Sequence, residues 1–250
     1  MSITRIDNNS AVLHNSSRVG HDSRPANIPH GAHLHGLVSL LSVMSIPRRD
    51  IYLNAAARSW VAPPAAPATS IDTFHQKLPD YSVTKLVSLD KIAKELNFGA
   101  VYIKDESSRL GLPSFKILGA SWGSFQAITQ KLGLPLDSDI ATVKNALSQQ
   151  PITLYAATDG NHGRAVARMG KFLNVPVEIF VPKGMHLDTV ELIASEGARV
   201  TQLSGSYDDA VRTAFAASRK DGGILVQDTA FEGYEEIPRV SDTTFFALAF

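Results

Sequence analysis

Residues 154–174, which read LYAATDGNHGRAVARMGKFLN, decide the fold of this chain. The first four are a short apolar run, as in a buried strand, and a turn with two glycines follows directly. Beyond the turn, apolar side chains recur at spacings of three, four and seven, which is typical of one helix face: Ala165, Val166, Met169, Phe172 and Leu173. Asn174, ahead of a Val-Pro pair, predicts the end of this helix. The stretch therefore predicts a strand, a tight turn and a helix in sequence.

The same alternation continues on both sides of this unit. β-rich runs lie at Val101 to Ile103, Leu154 to Ala157, Val177 to Val181, Arg199 to Leu203 and Ile224 to Val226. Helical patterns lie between them, from Phe115, at 162–173, at 187–196 and at 207–219. Strands separated by helices imply parallel pairing with right-handed crossovers. We therefore predict an α/β fold with three layers, α/β/α, and parallel sheets, with ligands bound where strands turn into helices.

Composition restricts the classes of partner. The 250 residues are 44% hydrophobic, and 24 basic residues balance 24 acidic ones, so no long-range field favours nucleic acid or an anionic membrane. Cysteine is absent, which excludes disulfides and thiolate metal sites. The apolar stretch at 34–46 is too short to span a bilayer. We expect a small-molecule partner, no nucleic acid, no membrane and a cytoplasmic location.

The sequence divides into three segments. Residues 1–50 are polar and have little periodicity, which favours a disordered or irregular extension. Residues 51–238 are expected to form the packed domain, and 239–250 are an unmatched tail, in which 243–250 are predicted to be exposed and apolar. Three histidines of the extension are interpreted as flexible surface residues rather than a metal site: His30, His33 and His35.

The first strand-to-helix connection contains Lys104-Asp105-Glu106-Ser107 and ends in Ser114-Phe115-Lys116. Ser114 is a candidate N-cap for the helix that follows. Lys116 can be a solvated lysine of the first turn, but a cation is mildly unfavourable at the positive end of a helix dipole. An amine at that place could instead attack an aldehyde carbon. Spacing alone favours the solvated lysine.

Two further turns carry polar groups. In 158–163 the two glycines are expected to let the backbone approach a ligand, and Asn161 offers a side-chain amide. His162, judged alone, is more often structural than catalytic. At the end of the last strand, Asp228 can be an N-cap or a carboxylate aimed at the site.

Together these motifs, Lys104 to Ser107, Ser114 to Lys116, Thr158 to Gly163 and Asp228-Thr229, resemble the fold-type II pyridoxal-phosphate enzymes, the tryptophan synthase β-like superfamily. Four ordered motifs are far more specific than one glycine-rich turn. The phrase Asp159 to Gly163, with Gly233 to Pro238, is most similar to the diaminopropionate ammonia-lyases. The resemblance covers roughly residues 51–238.

The resemblance implies a cofactor and roles. Pyridoxal 5′-phosphate would form a Schiff base with Lys116, and Phe115 and Asn161 would also bind it, the latter through the ring oxygen. Lys116 would be the base on one face of the substrate, Asp159 the base on the other, and Asp228 would bind the substrate amino group. The implied reaction is β-elimination from an amino acid, foremost 2,3-diaminopropionate to pyruvate and ammonia, with a serine/threonine dehydratase-like lyase as the alternative. A homodimer is the implied assembly.

The sequence departs from this family pattern in its last part. The family has a later glycine-rich loop that wraps the cofactor phosphate, and after Gly233 this sequence contains no glycine. The departure favours an incomplete fold, truncated at the carboxyl terminus, and makes a catalytically incompetent fragment the competing hypothesis. A nucleotide-binding Rossmann domain is a weaker alternative, because the turn at 158–163 lacks its glycine spacing.

Overall fold

The computed structural model describes residues 3–5, 59 and 68–249. The strands are β1 Ile3–Arg5, β2 Lys85–Ser88, β3 Val101–Asp105, β4 Thr153–Ala157, β5 Val177–Val181, β6 Arg199–Gln202 and β7 Gly223–Leu225. The helices are α1 Ala68–Gln76, α2 Asp90–Glu95, α3 Lys116–Leu132, α4 Ile140–Gln149, α5 Asn161–Leu173, α6 Leu187–Ala194, α7 Tyr207–Ser218 and α8 Glu236–Ala249.

Strands β4 to β7 form a parallel sheet in the order β6-β5-β4-β7. Successive residues of β4 face opposite sides, so Leu154 and Ala156 belong to the larger apolar core and Tyr155 and Ala157 to a second cluster. Helix α5 packs against β4 and β5 on the first side, and α7 packs against the sheet on the second. The predicted α/β fold with helices on both faces of a parallel sheet is confirmed.

The first of the predicted strands does not join that sheet. Strand β3 pairs antiparallel with β2 on one side, with Val87 opposite Ile103, and with β1 on the other, with Ile3 opposite Ile103. The expectation of parallel pairing is therefore wrong for β3. Its two edges are occupied by β1 and β2, and two helices, α3 and α4, separate it along the chain from β4.

Helix α5 lies unusually close to the sheet because two of its residues have no side chain. A Cβ at Gly170 would lie 2.1 Å from Cγ2 of Val177, and one at Gly163 would lie 2.3 Å from Cγ2 of Thr158. The predicted helix face is buried, and the predicted end is confirmed, since Asn174 adopts the left-handed conformation with φ of 58°. The turn before α5 is thereby held against the carboxyl ends of β4 and β5.

Residues 243–249 of the segment predicted to be an exposed apolar tail lie within helix α8, which packs against α3 and α1. Thr244 is buried in this packing, so the expectation of an exposed tail is wrong for this residue, and Ser241 just before the predicted tail is buried too. The close approach depends on Gly119 of α3, where a Cβ would lie 2.8 Å from Cβ of Ser241. Within residues 68–249, no helix combines the length and hydropathy that a membrane crossing requires.

Most of the predicted extension, residues 1–50, lies outside the described residues, as do the three histidines. Residues 3–5 are the exception and form β1.

Candidate active site

Two side chains from distant parts of the sequence meet at the carboxyl edge of the parallel sheet. Nζ of Lys116, the first residue of α3, lies 2.6 Å from Oδ2 of Asp228, which follows β7. The Lys116 side chain is 37% exposed and that of Asp228 18% exposed, so the pair is partly screened by solvent and still reachable by a ligand. The structure thus brings together two of the three predicted catalytic residues.

The loop that delivers Lys116 is held by a buried ion pair. Glu106 accepts hydrogen bonds from Nε of Arg109 and, at 2.7 Å, from the hydroxyl of Thr84. Burial acts to raise the pKa of Glu106, but the bonds from Arg109 and Thr84 outweigh it, so this pKa lies below its usual value. The Lys-Asp-Glu-Ser motif therefore fixes the loop in front of α3.

The start of α3 places the Lys116 amine beside an aromatic ring. The Ser114 hydroxyl accepts a hydrogen bond from the Lys116 backbone N–H at 3.2 Å, although the residue at the formal N-cap position is Phe115. The prediction that Ser114 is the N-cap is therefore wrong: Ser114 lies one position before the N-cap, although its hydroxyl still satisfies an N-terminal donor of the helix. Nζ of Lys116 lies 5.5 Å from the centroid of the Phe115 ring.

The turn at 158–163 is closed by a threonine hydroxyl. Oγ1 of Thr158 accepts hydrogen bonds from the N–H groups of Gly160 and Gly163, both at 2.9 Å. Asp159 and Asn161 are exposed at this edge. The lack of a Cβ at Gly163 lets α5 approach the strand, and the approach of the backbone to a ligand at these glycines stays a prediction.

His162 is a site residue that sequence reasoning left among structural histidines. Its imidazole is buried, Nε2 donates to the carbonyl oxygen of Val226 at 2.8 Å, and Nδ1 lies 3.6 Å from Oδ2 of Asp228. The bond to a carbonyl requires that Nε2 carries the proton. Its position next to Asn161 was visible in the sequence, but the proximity of Val226 and Asp228, 64 and 66 residues further along the chain, was not.

Opposing effects set the ionisation of Asp228. Burial acts to raise its pKa, but the charges of His162 and Lys116 and the hydrogen bond from Lys116 outweigh burial, so the pKa lies below its ordinary value. Asp228 is therefore an anion over the neutral range and a strong acceptor for a cationic group.

Tyr207 and Gln227 lie beside Asp228 at the end of β7. Gln227 is buried, and its Nε2 donates to the hydroxyl oxygen of Tyr207 at 2.8 Å. The pKa of Tyr207 lies above its usual value, because burial and the negative charges of Asp228 and Asp159 outweigh its hydrogen bonds with Thr229 and Gln227. Sequence reasoning had not singled out Tyr207 or Gln227 as contacts of the site.

The arrangement offers what an aldehyde cofactor requires at one edge. Lys116 supplies a solvent-accessible primary amine, and Asn161 an exposed amide at the first position of α5, where helix donors point outward. Phe115 supplies an apolar ring beside the amine. Residues 68–249 contain no group of three metal-ligating side chains, so a divalent cation has no comparable site among them.

Comparisons with known proteins bear on this geometry. A family model described as "Pyridoxal-phosphate dependent enzyme" matches residues 77–239. The diaminopropionate ammonia-lyase of Salmonella typhimurium strain LT2 is 41% identical over 169 residues, which are 66% of this chain and 42% of that protein.

Solved structures of Escherichia coli diaminopropionate ammonia-lyase are also similar. The complex with D-serine matches with a TM-score of 0.67 and 34% identity, covering 74% of this chain and 49% of that one. The complex with an aminoacrylate-PLP azomethine reaction intermediate matches with a TM-score of 0.65 and 32% identity, covering 75% and 49%. The chain thus spans less than half the length of these relatives.

Proposed function

Because the chain belongs to the pyridoxal-phosphate dependent enzyme family, we propose that it serves β-elimination of an amino acid, foremost 2,3-diaminopropionate, to pyruvate and ammonia. The observation that carries the proposal is the pairing of Lys116 with Asp228 at the carboxyl edge of the sheet. The identity to diaminopropionate ammonia-lyases supports the choice of substrate.

When bound, the cofactor supplies an aldehyde that links to an amine and a ring that withdraws electrons from the substrate Cα. Lys116 would hold it, Phe115 lies beside the amine, and Asn161 at the start of α5 would be a further cofactor contact. The Lys116 amine would also be a base on one face of the substrate when it is not bound to the cofactor.

Two carboxylates complete the proposed chemistry. Asp159 is exposed in the turn before α5, and we assign to it removal of the Cα proton on the face opposite Lys116. Asp228 is ionised and already binds an ammonium group, that of Lys116, so it suits the amino group of an incoming substrate. A base on each face would let both enantiomers react.

Covalent trapping tests the assignment of Lys116. The purified protein is incubated with pyridoxal 5′-phosphate, reduced with borohydride and mapped by peptide mass spectrometry. We expect the reduced cofactor on Lys116, and its loss from that peptide in Lys116→Ala. Lys104→Ala is the matched control, because Lys104 instead donates to the carbonyl oxygen of Thr84. Random labelling of surface lysines, unchanged by Lys116→Ala, would contradict the proposal.

Pyruvate formation then distinguishes the substrates. The same preparation is given 2,3-diaminopropionate, serine or threonine, and the keto acid is measured with a coupled dehydrogenase. Faster turnover of diaminopropionate supports the ammonia-lyase, and faster turnover of serine or threonine supports the dehydratase-like alternative. Trapping on Lys116 without turnover of any of the three would identify a chain that binds cofactor and is catalytically incompetent.

A further inference from the structure

The backbone just before Asp228 is held by a phenol. Oη of Tyr234 donates to the carbonyl oxygen of Leu225 at 2.9 Å and accepts from the N–H of Gln227 at 2.8 Å. One side chain thus bridges the last residue of β7 and the residue that precedes Asp228. Leu225 and Gln227 are both buried, so their backbone groups need hydrogen-bond partners, and the phenol supplies one to each residue.

The side chain of Gln227 is fixed from the opposite direction. Its Oε1 accepts from the N–H of Ala157 on β4 at 3.0 Å. Because a backbone N–H can bond only to the amide oxygen, Nε2 must face Tyr207, to whose hydroxyl it donates. The residue before Asp228 is therefore held both by its backbone and by its buried side chain.

Tyr234 reaches this place through a tight reversal of the chain. Phe231 and Tyr234 exchange two backbone hydrogen bonds, of 3.1 and 2.8 Å, and their rings stack with centroids 5.0 Å apart. Gly233 between them has a φ of 79°, a conformation that favours glycine. The Gly-Tyr pair that opens the 233–238 motif has no part in the proposed chemistry, but it returns this phenol to the end of β7.

We propose that Tyr234 is a positioning residue for Asp228, holding the Gln227-Asp228 turn so that the carboxylate stays in register with Lys116. The hydrogen bonds of Tyr234 within this chain support the positioning role, and the role of Asp228 in catalysis rests on the proposed function.

The geometry at Asp228 is sensitive to the position of the turn. Its Oδ2 lies 2.6 Å from Nζ of Lys116 on α3 and 3.6 Å from Nδ1 of His162 on α5, and its negative charge acts on the phenols of Tyr207 on α7 and Tyr234. A displacement of about 1 Å takes a hydrogen bond of this kind out of range. Loosening would free the carboxylate from its cationic partners and from burial, so its titration would return upward to the ordinary range.

Carboxyl NMR measures this directly. The protein is labelled with carboxyl ¹³C-aspartate, the signal of Asp228 is assigned with Asp228→Asn, and its titration midpoint is followed. Lys116→Met defines the shift caused by losing the ion pair, and Tyr234→Phe is expected to produce at least about half of it. Tyr155→Phe is the matched control, since Tyr155 is a buried tyrosine of the same apolar cluster, but its hydroxyl forms a hydrogen bond with Thr153 on β4.

The outcomes separate positioning from mere stability. A raised midpoint in Tyr234→Phe, with Tyr155→Phe at the wild-type value, supports the proposal. If Tyr234→Phe unfolds more easily yet keeps the wild-type midpoint, the phenol is structural and the proposal is overturned. Should Tyr234→Phe not fold, Gly233→Ala strains the same turn and is judged by the same criterion.

The titration uses no cofactor, so it is independent of the borohydride test. Failed trapping on Lys116 together with a raised midpoint would remove the proposed function and leave the positioning intact. Successful trapping with an unchanged midpoint would do the reverse.

Discussion

Two connections bring side chains to the same edge of the molecule by different means. The one from β3 to α3 runs over 106–115 and is held by the buried pair Glu106 and Arg109, whereas the one from β4 to α5 has only three residues and is closed by the Thr158 hydroxyl. The long connection therefore depends on charge, and the short one on backbone donors and on the absence of a Cβ at Gly163. Removing a charge should therefore destabilise the connection that carries Lys116 most, and adding a side-chain atom should destabilise the connection that carries Asp159 most.

The largest effect is expected from Arg109→Met. The Glu106 carboxylate, whose side chain is only 10% exposed, would lose its cationic partner, and breaking a buried pair costs about 3–5 kcal/mol. Urea unfolding followed by circular dichroism measures the loss. In Arg109→Met/Glu106→Gln the uncompensated charge is gone, so part of the stability should return. A double variant no more stable than Arg109→Met would place the cost in lost packing instead.

The two connections also differ in how well the sequence alone predicts their structure. The short turn and α5 were predictable because strand, glycines, helix face and Asn174 all lie within 21 residues. Strand β3, which precedes the long connection, was predicted to pair parallel but pairs antiparallel with β1 and β2. This pairing is set by tertiary contacts, which the local hydrophobic pattern does not predict.

The site divides along the same line. Lys116 and Asp228 were predicted from sequence motifs, and in the structure their side chains form an ion pair. His162 and Tyr234 were not given site roles, because these depend on backbone groups at the end of β7 that only the fold brings near. The packing of α8 could not be predicted either, because it depends on two glycines of α3, Gly119 and Gly123, whose lack of a Cβ lets α8 come close.

Gly163→Ala tests the steric side of the comparison. The new methyl would lie 2.3 Å from Cγ2 of Thr158 and 3.1 Å from Cγ2 of Ile179, so helix α5 must shift outward, at about 1–3 kcal/mol. Gly99→Ala is the control, because nothing lies within 4 Å of a Cβ there, and its effect should stay within about 0.5 kcal/mol. Equal losses in the two variants would mean that the close approach of α5 has no special cost.

Thr158→Val should cost less, about 1–2 kcal/mol, because it keeps the shape of the side chain and removes the acceptor of two N–H groups at the start of α5. Thr129→Val makes a fair comparison, since the Thr129 hydroxyl bonds only within its own helix. Amide hydrogen exchange at Gly160 and Gly163 should quicken in Thr158→Val alone. Unchanged exchange there would show that the hydroxyl does not close the turn.

The smallest expected effect is on how stability depends on acid pH. It leaves stability at neutral pH unchanged, and it should differ between the two connections. The pKa of Glu106 is depressed below its usual 4.5, because the bonds from Arg109 and Thr84 outweigh burial. A depressed carboxyl stabilises the fold fully above its unfolded pKa, and this contribution is lost as the pH falls from about 4.5 through the folded value. Wild-type stability should therefore drop more steeply below about pH 4.5 than that of Arg109→Met/Glu106→Gln, while Thr158→Val keeps the wild-type slope because a hydroxyl does not titrate there. Parallel slopes in wild type and the double variant would show that the long connection does not depend on the charge of Glu106, and the contrast between the two connections would then reduce to their length.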